Sequence, residues 1–191
     1  VKSYNGEQVF EINFKKGNVD GELITRPLDR KERRTGTVTR WRPDLEVFTD
    51  IDIPQSYFED VLHRQSVVNA GLKFFLRYQK EDGSFESREY YYPHGISDYV
   101  EELSKGKGLT APVLLSLETQ GRDRADKDDY RLKAEISFCV TNVGGVIEYY
   151  HNSSYLEYGG SPDRAVRNAF TYALDRLLKS QGKYNKNESK I

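Results

Sequence analysis

Residues 35–48 read Thr-Gly-Thr-Val-Thr-Arg-Trp-Arg-Pro-Asp-Leu-Glu-Val-Phe, and this stretch is more informative about function than any other part of the chain. It opens with β-branched residues around Gly36, which favour a short strand. An aromatic and basic turn follows at residues 40–42, and the Pro-Asp pair at 43–44 predicts the start of a loop. The Leu-x-Val-Phe end then supplies apolar anchors for that loop.

Length and composition limit the classes of protein to which this stretch can belong. The 191 residues can build one good core or two small ones. The 29 basic and 30 acidic residues give a net charge of -1, so any contact with nucleic acid must come from a local patch. The single cysteine, Cys139, excludes an internal disulfide and suits a reducing, cytoplasmic location. No apolar run approaches the ~18 residues of a membrane span, and no leader pattern is present, so we expect neither membrane nor secretion.

Upstream of the opening stretch, the pattern predicts a hairpin. Residues 1–4 read as a strand, Asn5-Gly6 as a turn, and the alternation of Phe10, Ile12 and Phe14 with polar residues as a second strand. Residues 17–34 contain three glycine or proline breaks and are expected to form a loop. That loop ends in a cluster of basic residues, for which a solvated surface is the favoured interpretation.

Downstream, strand and helix periods alternate irregularly. The predicted elements, in chain order, are a helix at 55–69, a hairpin at 72–92, a helix at 96–103, a strand at 113–117, a strand at 132–140, a turn at 142–145 leading into a strand at 146–150, and a helix opening at Ser161, which can cap it. Residues 182–191 are expected to fray. Hairpins mixed with single helices indicate an α+β fold with mixed or antiparallel sheets.

The opening stretch resembles the Thr-Gly-Thr and Pro-Asp signature of the B subunits of bacterial type IIA DNA topoisomerases, that is, of gyrase and topoisomerase IV. Two later segments strengthen the resemblance: the strand at 135–142, and residues 157–160, which are similar to the Glu-Gly-Gly element of that family. Two departures are the Ser161-Pro162 pair, where the family has Thr-His, and the tyrosine-rich run 149–155. They suggest a divergent paralogue, closer to the topoisomerase IV type than to standard gyrase.

The resemblance implies a domain organisation. Residues 1–88 correspond to the C-terminal part of the GHKL-type ATPase domain, and residues 89–181 to the front of the transducer domain. Residues 182–191 would be the frayed tail. The resemblance also refines the fold class: α+β, with mixed or antiparallel sheets and single packed helices, ending in a transducer domain of the ribosomal-protein-like, left-handed βαβ type.

The implied function is that of an ATP-dependent type II topoisomerase, with ATP and Mg²⁺ as cofactors of the complete protein. Its partners would be DNA, the DNA-cleaving subunit of the enzyme and a second copy of the ATPase subunit. The general base, the Mg²⁺-holding Asn, the adenine-reading Asp and the phosphate lid of the family have no counterpart here. We therefore expect this chain to contain no catalytic residue and no metal site and to bind no cofactor. By itself it would be inactive.

Three residues correspond to the adenine end of the family's nucleotide pocket. Thr37 matches the threonine that hydrogen-bonds the adenine-recognising Asp and its water, a role that suits a hydroxyl because it both donates and accepts. Thr39 matches a wall of the same pocket, and Gly36 would allow the backbone to approach the base closely. Without the resemblance, the same residues would be interpreted as parts of an ordinary strand.

Several other features have a plain interpretation beside a functional one. His63, His94 and His151 lack metal-ligand spacing, and the acidic loop 123–129 lacks the glycine of a calcium loop. The arginines of the last helix, Arg164, Arg167 and Arg176, could face DNA or only solvent. Two other functions stay open: a binding module that kept the transducer fold without ATPase activity, and a mismatch-repair or chaperone relative in the same ATPase superfamily.

Overall fold

The computed structural model describes residues 1–184. Its elements are β1 (Lys2–Asn5), β2 (Gln8–Lys15), β3 (Asn18–Pro27), β4 (Thr35–Val38), α1 (Gln55–Val68), β5 (Lys73–Gln79), β6 (Phe85–Tyr91), α2 (Ile96–Ser104), β7 (Val113–Gly121), β8 (Tyr130–Phe138), β9 (Tyr150–His151), β10 (Ser154–Tyr155) and α3 (Gly160–Ser180). They fall into two compact units, Val1–Pro54 and a second that begins at Gln55. Most of the predicted frayed tail lies outside the described residues.

The first unit is a four-stranded antiparallel sheet with the order β3-β2-β1-β4. The predicted β1–β2 hairpin is confirmed. β3 corrects the prediction of a loop over residues 17–34, because residues 18–27 pair with β2 along nearly their whole length. The alternation of apolar and polar residues is interrupted there for two reasons. The register shifts between Glu11 and Asn13, and Gly21 interrupts β3 with a φ of 88°.

Few side chains in the first unit are buried. Val9 on β2 and Leu28, just after β3, are its buried apolar residues. The backbone N–H of Leu28 donates to the carbonyl of Glu7 at 2.7 Å, which fixes the end of β3 against the β1–β2 turn. By contrast, every residue of β3 and of β4 is exposed. The backbone ladder therefore defines this sheet, and side-chain burial contributes little to it.

The second unit begins with α1 packed on the β5–β6 hairpin, both close to their predicted bounds. Ser66 and Val67, near the C-terminal end of α1, are fully buried. Gly95 precedes α2 with a φ of 60°, and a Cβ there would lie 3.1 Å from both the Ala70 Cβ and the Val67 carbonyl oxygen. Only glycine combines that backbone conformation with such a close approach, so Gly95 brings the start of α2 against the end of α1.

The rest of the second unit is the β7–β8 hairpin, a small β9–β10 pair and α3. Phe138 at the end of β8 meets Phe170 of α3 edge-to-face, with ring centroids 5.1 Å apart. Two predictions are corrected here. The strand expected at 146–150 does not form, and only its last residue enters β9. Helix α3 begins at Gly160 with Gly159 as N-cap and without a side-chain cap, so Ser161 does not cap it.

The described sheets are all antiparallel and alternate with single helices, which confirms the predicted α+β fold. None of the helices in the described part of the chain is long and apolar enough to cross a membrane.

Candidate functional site

The predicted nucleotide-site residues lie on and next to β4, an edge strand of the first sheet. β4 pairs with β1, so Thr37 lies opposite Ser3 and Gly36 opposite Tyr4. Gly36 has a φ of 128°, and a Cβ built on it would meet no atom within 4 Å. The backbone at Gly36 is therefore open on the side where a side chain would stand. A planar ring could approach it closely there.

Thr37 shares one face of the sheet with a hydroxyl and an aromatic ring. Residues directly opposite each other on antiparallel strands project to the same face. Ser3 is opposite Thr37 on one side and opposite Phe10 on the other, so the three side chains form a row across β4, β1 and β2. Two hydroxyls beside an aromatic ring can hydrogen-bond the polar edge of a heterocyclic base and contact its apolar face.

The other face of the same strands carries a cation–π pair. The guanidinium carbon of Arg34 lies 3.9 Å from the ring centroid of Tyr4. Arg34 belongs to the predicted basic loop, and Arg26 in the same region forms an ion pair with Glu32 at 2.8 Å. The Glu32 pKa lies below its usual range, chiefly because its carboxylate accepts a hydrogen bond from Arg26. Both of these arginines therefore have local partners.

Thr39 lies one residue beyond the end of β4, so the strand pairing does not fix its side-chain direction. The loop after it begins as the Pro-Asp pair predicts: the Asp44 carboxylate accepts the N–H of Glu46 at 2.9 Å, and its carbonyl accepts the N–H groups of Val47 and Phe48. The structure therefore places Thr37 and Gly36 together on the strand, and Thr39 at its margin.

Several of the remaining sequence candidates take ordinary partners. In the described residues, no group of three or more His, Cys, Asp or Glu side chains is placed to hold a metal ion. His94 contacts Asp98 through Nδ1 at 2.9 Å. The acidic loop is closed by an ion pair between Arg122 and Asp129 at 2.7 Å. Arg167 pairs with Asp163 one helical turn earlier.

A second cluster, which the sequence analysis did not identify, surrounds His63 in the second unit. The imidazole ring of His63 lies with its centroid 5.7 Å from Tyr92, 5.3 Å from Tyr99 and 6.4 Å from Tyr90. Its Nε2 is 2.9 Å from the hydroxyl of Tyr92, which donates to Glu102 at 2.7 Å. We call this group, together with the residues that extend it below, the His63 cluster.

The His63 cluster extends to the segment around β9. The hydroxyls of Tyr99 and Tyr150 both donate to the Glu148 carboxylate, at 3.2 and 2.7 Å. Burial, followed by the charge of Glu148, raises the pKa of Tyr99 to about 12. The pKa values of Tyr92 and Tyr150 are also raised, first by burial and then by hydrogen bonding to Glu102 and Glu148. The tyrosines therefore stay protonated donors across the physiological range.

The sequence did contain a signal for this cluster. The tyrosine-rich run 149–155 stood out as a departure from the family, and it supplies Tyr150 and Tyr155. From the sequence, His63 is a candidate only for a metal ligand. Its hydrogen-bond partner Tyr92 lies about 30 positions later. A local pattern cannot reveal such a pairing, because it depends on how α1 and α2 pack.

Comparisons with known proteins agree with the architecture. A family model described as DNA gyrase B matches residues 95–191, slightly more than half of the chain. In structure, the chain is similar to the 43K ATPase domain of Thermus thermophilus gyrase B, solved in complex with an aminocoumarin. The TM-score is 0.66 at 22% identity, covering 98% of this chain and 48% of that one. At 22% identity, this similarity establishes the fold alone.

Curated relatives extend the match over nearly the whole chain. The DNA gyrase B protein of Enterococcus faecalis is 23% identical over 100% of this chain and 28% of its own length. The gyrase B proteins of Mycoplasmoides gallisepticum and Staphylococcus aureus are 24% and 25% identical, each over 95% of this chain and 29% and 26% of their own lengths. The chain thus spans little more than a quarter of these relatives. By the match of the family model, this chain belongs to the DNA gyrase B family.

Proposed function

We propose that this chain is a segment of the ATPase subunit of an ATP-dependent type II DNA topoisomerase. In this proposal, residues 1–88 form the rear of the ATPase domain and residues 89–181 the front of the transducer, which relays ATP binding and hydrolysis to the DNA gate. The observation that carries it is the combination of the gyrase B family match with the fold of a gyrase B ATPase region over 98% of the chain.

Exposed apolar side chains on the first sheet support the placement within a larger domain. Leu23 and Ile24 on β3 are both 58% exposed, and Val38 on β4 is 51% exposed. Apolar residues on a sheet ordinarily face a packed layer, since burying such a side chain contributes about 1.5–3 kcal/mol. In the complete protein, further parts of the ATPase domain would cover these faces.

The residues of β4 and its neighbours suit the adenine end of ATP, the cofactor that this proposal implies. Thr37 would hydrogen-bond the adenine-recognising Asp of the complete protein and its water, Ser3 and Phe10 would flank it, and the open backbone at Gly36 would admit the base. Thr39 would form the margin of the same pocket. By the family resemblance, the Mg²⁺-holding Asn and the general base would come from other parts of the complete protein. ATP, when bound there, supplies the free energy for strand passage.

The partners follow from the same proposal: duplex DNA, the DNA-cleaving subunit and a second copy of the ATPase subunit, acting in the cytoplasm. The relatives, which carry the name of gyrase B, support the DNA topoisomerase class. Whether the enzyme supercoils or decatenates would depend on the DNA-cleaving partner with which it assembles.

A plasmid topology assay tests this function. The complete ATPase subunit is combined with its DNA-cleaving partner and supercoiled or relaxed plasmid, with and without ATP. The proposal predicts that the topoisomer distribution shifts only when ATP is present. A folded, complete protein that binds its partner but leaves the plasmid unchanged at all ATP concentrations would favour a non-catalytic binding module and contradict the proposal.

A further inference from the structure

Three successive residues of α1 contact two later parts of the second unit. His63 meets Tyr92 and Tyr99. The Arg64 guanidinium lies 4.0 Å from the ring centroid of Tyr155, which is a cation–π contact. The Gln65 side-chain amide donates to the Ser153 carbonyl at 2.8 Å, across 88 positions of sequence. All four partners lie beyond residue 88, the proposed end of the ATPase part.

The proton positions within the cluster can be assigned from hydrogen-bond capacity. A tyrosine hydroxyl has one proton to donate. The hydroxyl of Tyr92 gives that proton to Glu102, since a carboxylate can only accept. The hydroxyl must therefore accept from His63, so Nε2 of His63 carries a hydrogen. The hydrogen bonds therefore run in one direction, from His63 of α1 through Tyr92, just after β6, to Glu102 of α2.

A second branch of the cluster, formed by hydrogen bonds to Glu148, also has defined donors and acceptors. Tyr99 of α2 and Tyr150 of β9 both donate to Glu148, so one carboxylate holds two elements together. Tyr99 also faces the His63 ring, with the planes tilted by 76°. His63 thus touches both branches, one through Tyr92 and the other through Tyr99. Hydrogen bonds that share partners reinforce one another in a partly dry setting.

We propose that His63 is a positioning residue for coupling between the ATPase and transducer parts. It orients Tyr92 and, through Glu102, fixes α2 at one angle to α1, while Arg64 and Gln65 fix the segment around β9. This inference rests on the proposed function, and it names the contact through which that function would be relayed. Coupling requires such a contact with a defined geometry, and a network of shared hydrogen bonds supplies it.

The test compares ATP hydrolysis with and without duplex DNA in the complete protein assembled with its DNA-cleaving partner. His63→Phe keeps the ring packing but removes the donor, and Tyr92→Phe removes the acceptor and the link to Glu102. Both variants should keep the DNA-independent rate within about twofold and lower the stimulation by DNA about fivefold or more. His63→Gln, which keeps an N–H near the Nε2 position, should restore most of the stimulation. His151→Phe, at an exposed position of β9, is the matched control and should behave as wild type.

The outcomes separate this inference from the function on which it rests. Wild type that hydrolyses no ATP would contradict both. Stimulated wild type with equally stimulated His63→Phe would overturn the coupling role alone, as would a variant that loses basal and stimulated rates in the same proportion. The network itself is checked by a double-mutant cycle in denaturant unfolding of the 191-residue chain. His63→Phe and Tyr92→Phe should be clearly non-additive, and additive effects would show that the two residues do not act through one bond.

Discussion

The four-stranded sheet of the first unit and the α1–α2 junction of the second bury their side chains to very different degrees. All residues of β3 and β4 are exposed. At the junction, Ser66 and Val67 are fully buried, and Gly95 brings two helices within van der Waals distance. The sheet is held by its backbone hydrogen bonds and its edge strands are exposed, whereas the junction is closed by the chain's own side chains. Stability and function should therefore respond differently to substitutions in the two regions.

The largest contrast is expected for the same substitution made once in each region. Val67 is 1% exposed and Val38 is 51% exposed. Val67→Asp places an unpaired carboxylate at the junction and should lower the free energy of unfolding by about 3 kcal/mol or more. Val38→Asp leaves its carboxylate in water and should cost about 1 kcal/mol or less. Urea denaturation of the chain measures both, and equal losses of stability would contradict the difference in burial between the two regions.

A smaller effect should separate backbone strain from close packing. Gly95 and Gly106 flank α2 with φ values of 60° and 69°, but only at Gly95 would a Cβ meet neighbouring atoms. Alanine at either position incurs the cost of positive φ, on the order of 1 kcal/mol. Gly95→Ala should lose additional stability because Ala70 and the Val67 carbonyl must move. Thermal unfolding of the two variants gives the difference, and a Gly106→Ala variant as unstable as Gly95→Ala would rule out the close approach as its cause.

The smallest effect concerns an exposed ion pair on the β5–β6 hairpin. Hydrogen bonds from Lys80 and then Tyr78 lower the pKa of Glu86 to about 2 from an ordinary value of 4.5. A carboxyl with a lowered pKa in the folded state stabilises above its unfolded pKa and loses that contribution as the pH falls. The contribution of Glu86 should thus fade between pH 4.5 and about 2, and salt should weaken it because the pair is exposed.

Glu86→Gln tests this dependence, with Glu81→Gln in the neighbouring turn as control. The free energy of unfolding of wild type should fall more steeply between pH 4.5 and about 2 than that of Glu86→Gln. Glu81→Gln should follow wild type. Parallel curves for wild type and Glu86→Gln would show that the ion pair does not persist in solution.

The sequence predicted the elements whose periods are undisturbed. β8 alternates cleanly, and α1 carries apolar residues at helical spacing, so both were located to within a few residues. β3 was missed because Gly21 and the bulge opposite it break the alternation. The strand predicted at 146–150 failed for a different reason. Glu148 accepts hydrogen bonds from Tyr99 and Tyr150 instead of entering a ladder.

The candidate sites show the same division. Thr37 and Gly36 could be proposed from sequence because they lie together in one short motif, and the pairing of β4 with β1 then adds Ser3 and Phe10 beside them. His63 could not be assigned in this way. Its role depends on Tyr92, Tyr99 and Glu102, which the packing of α1 against α2 brings within reach. A local motif is enough to propose a strand-based site, whereas a cluster between helices requires the tertiary structure.

In the proposed function, β4 forms the adenine end of an ATP site in a topoisomerase. The most direct test is DNA-stimulated ATP hydrolysis by the complete protein with its DNA-cleaving partner, comparing wild type with Thr37→Ala and with Thr35→Ala on the same strand and face. We expect robust turnover in wild type and in Thr35→Ala, and a fall of at least about tenfold in kcat/KM, ~1.4 kcal/mol, in Thr37→Ala. No turnover from a folded wild-type assembly, or equal rates for all three proteins, would contradict it.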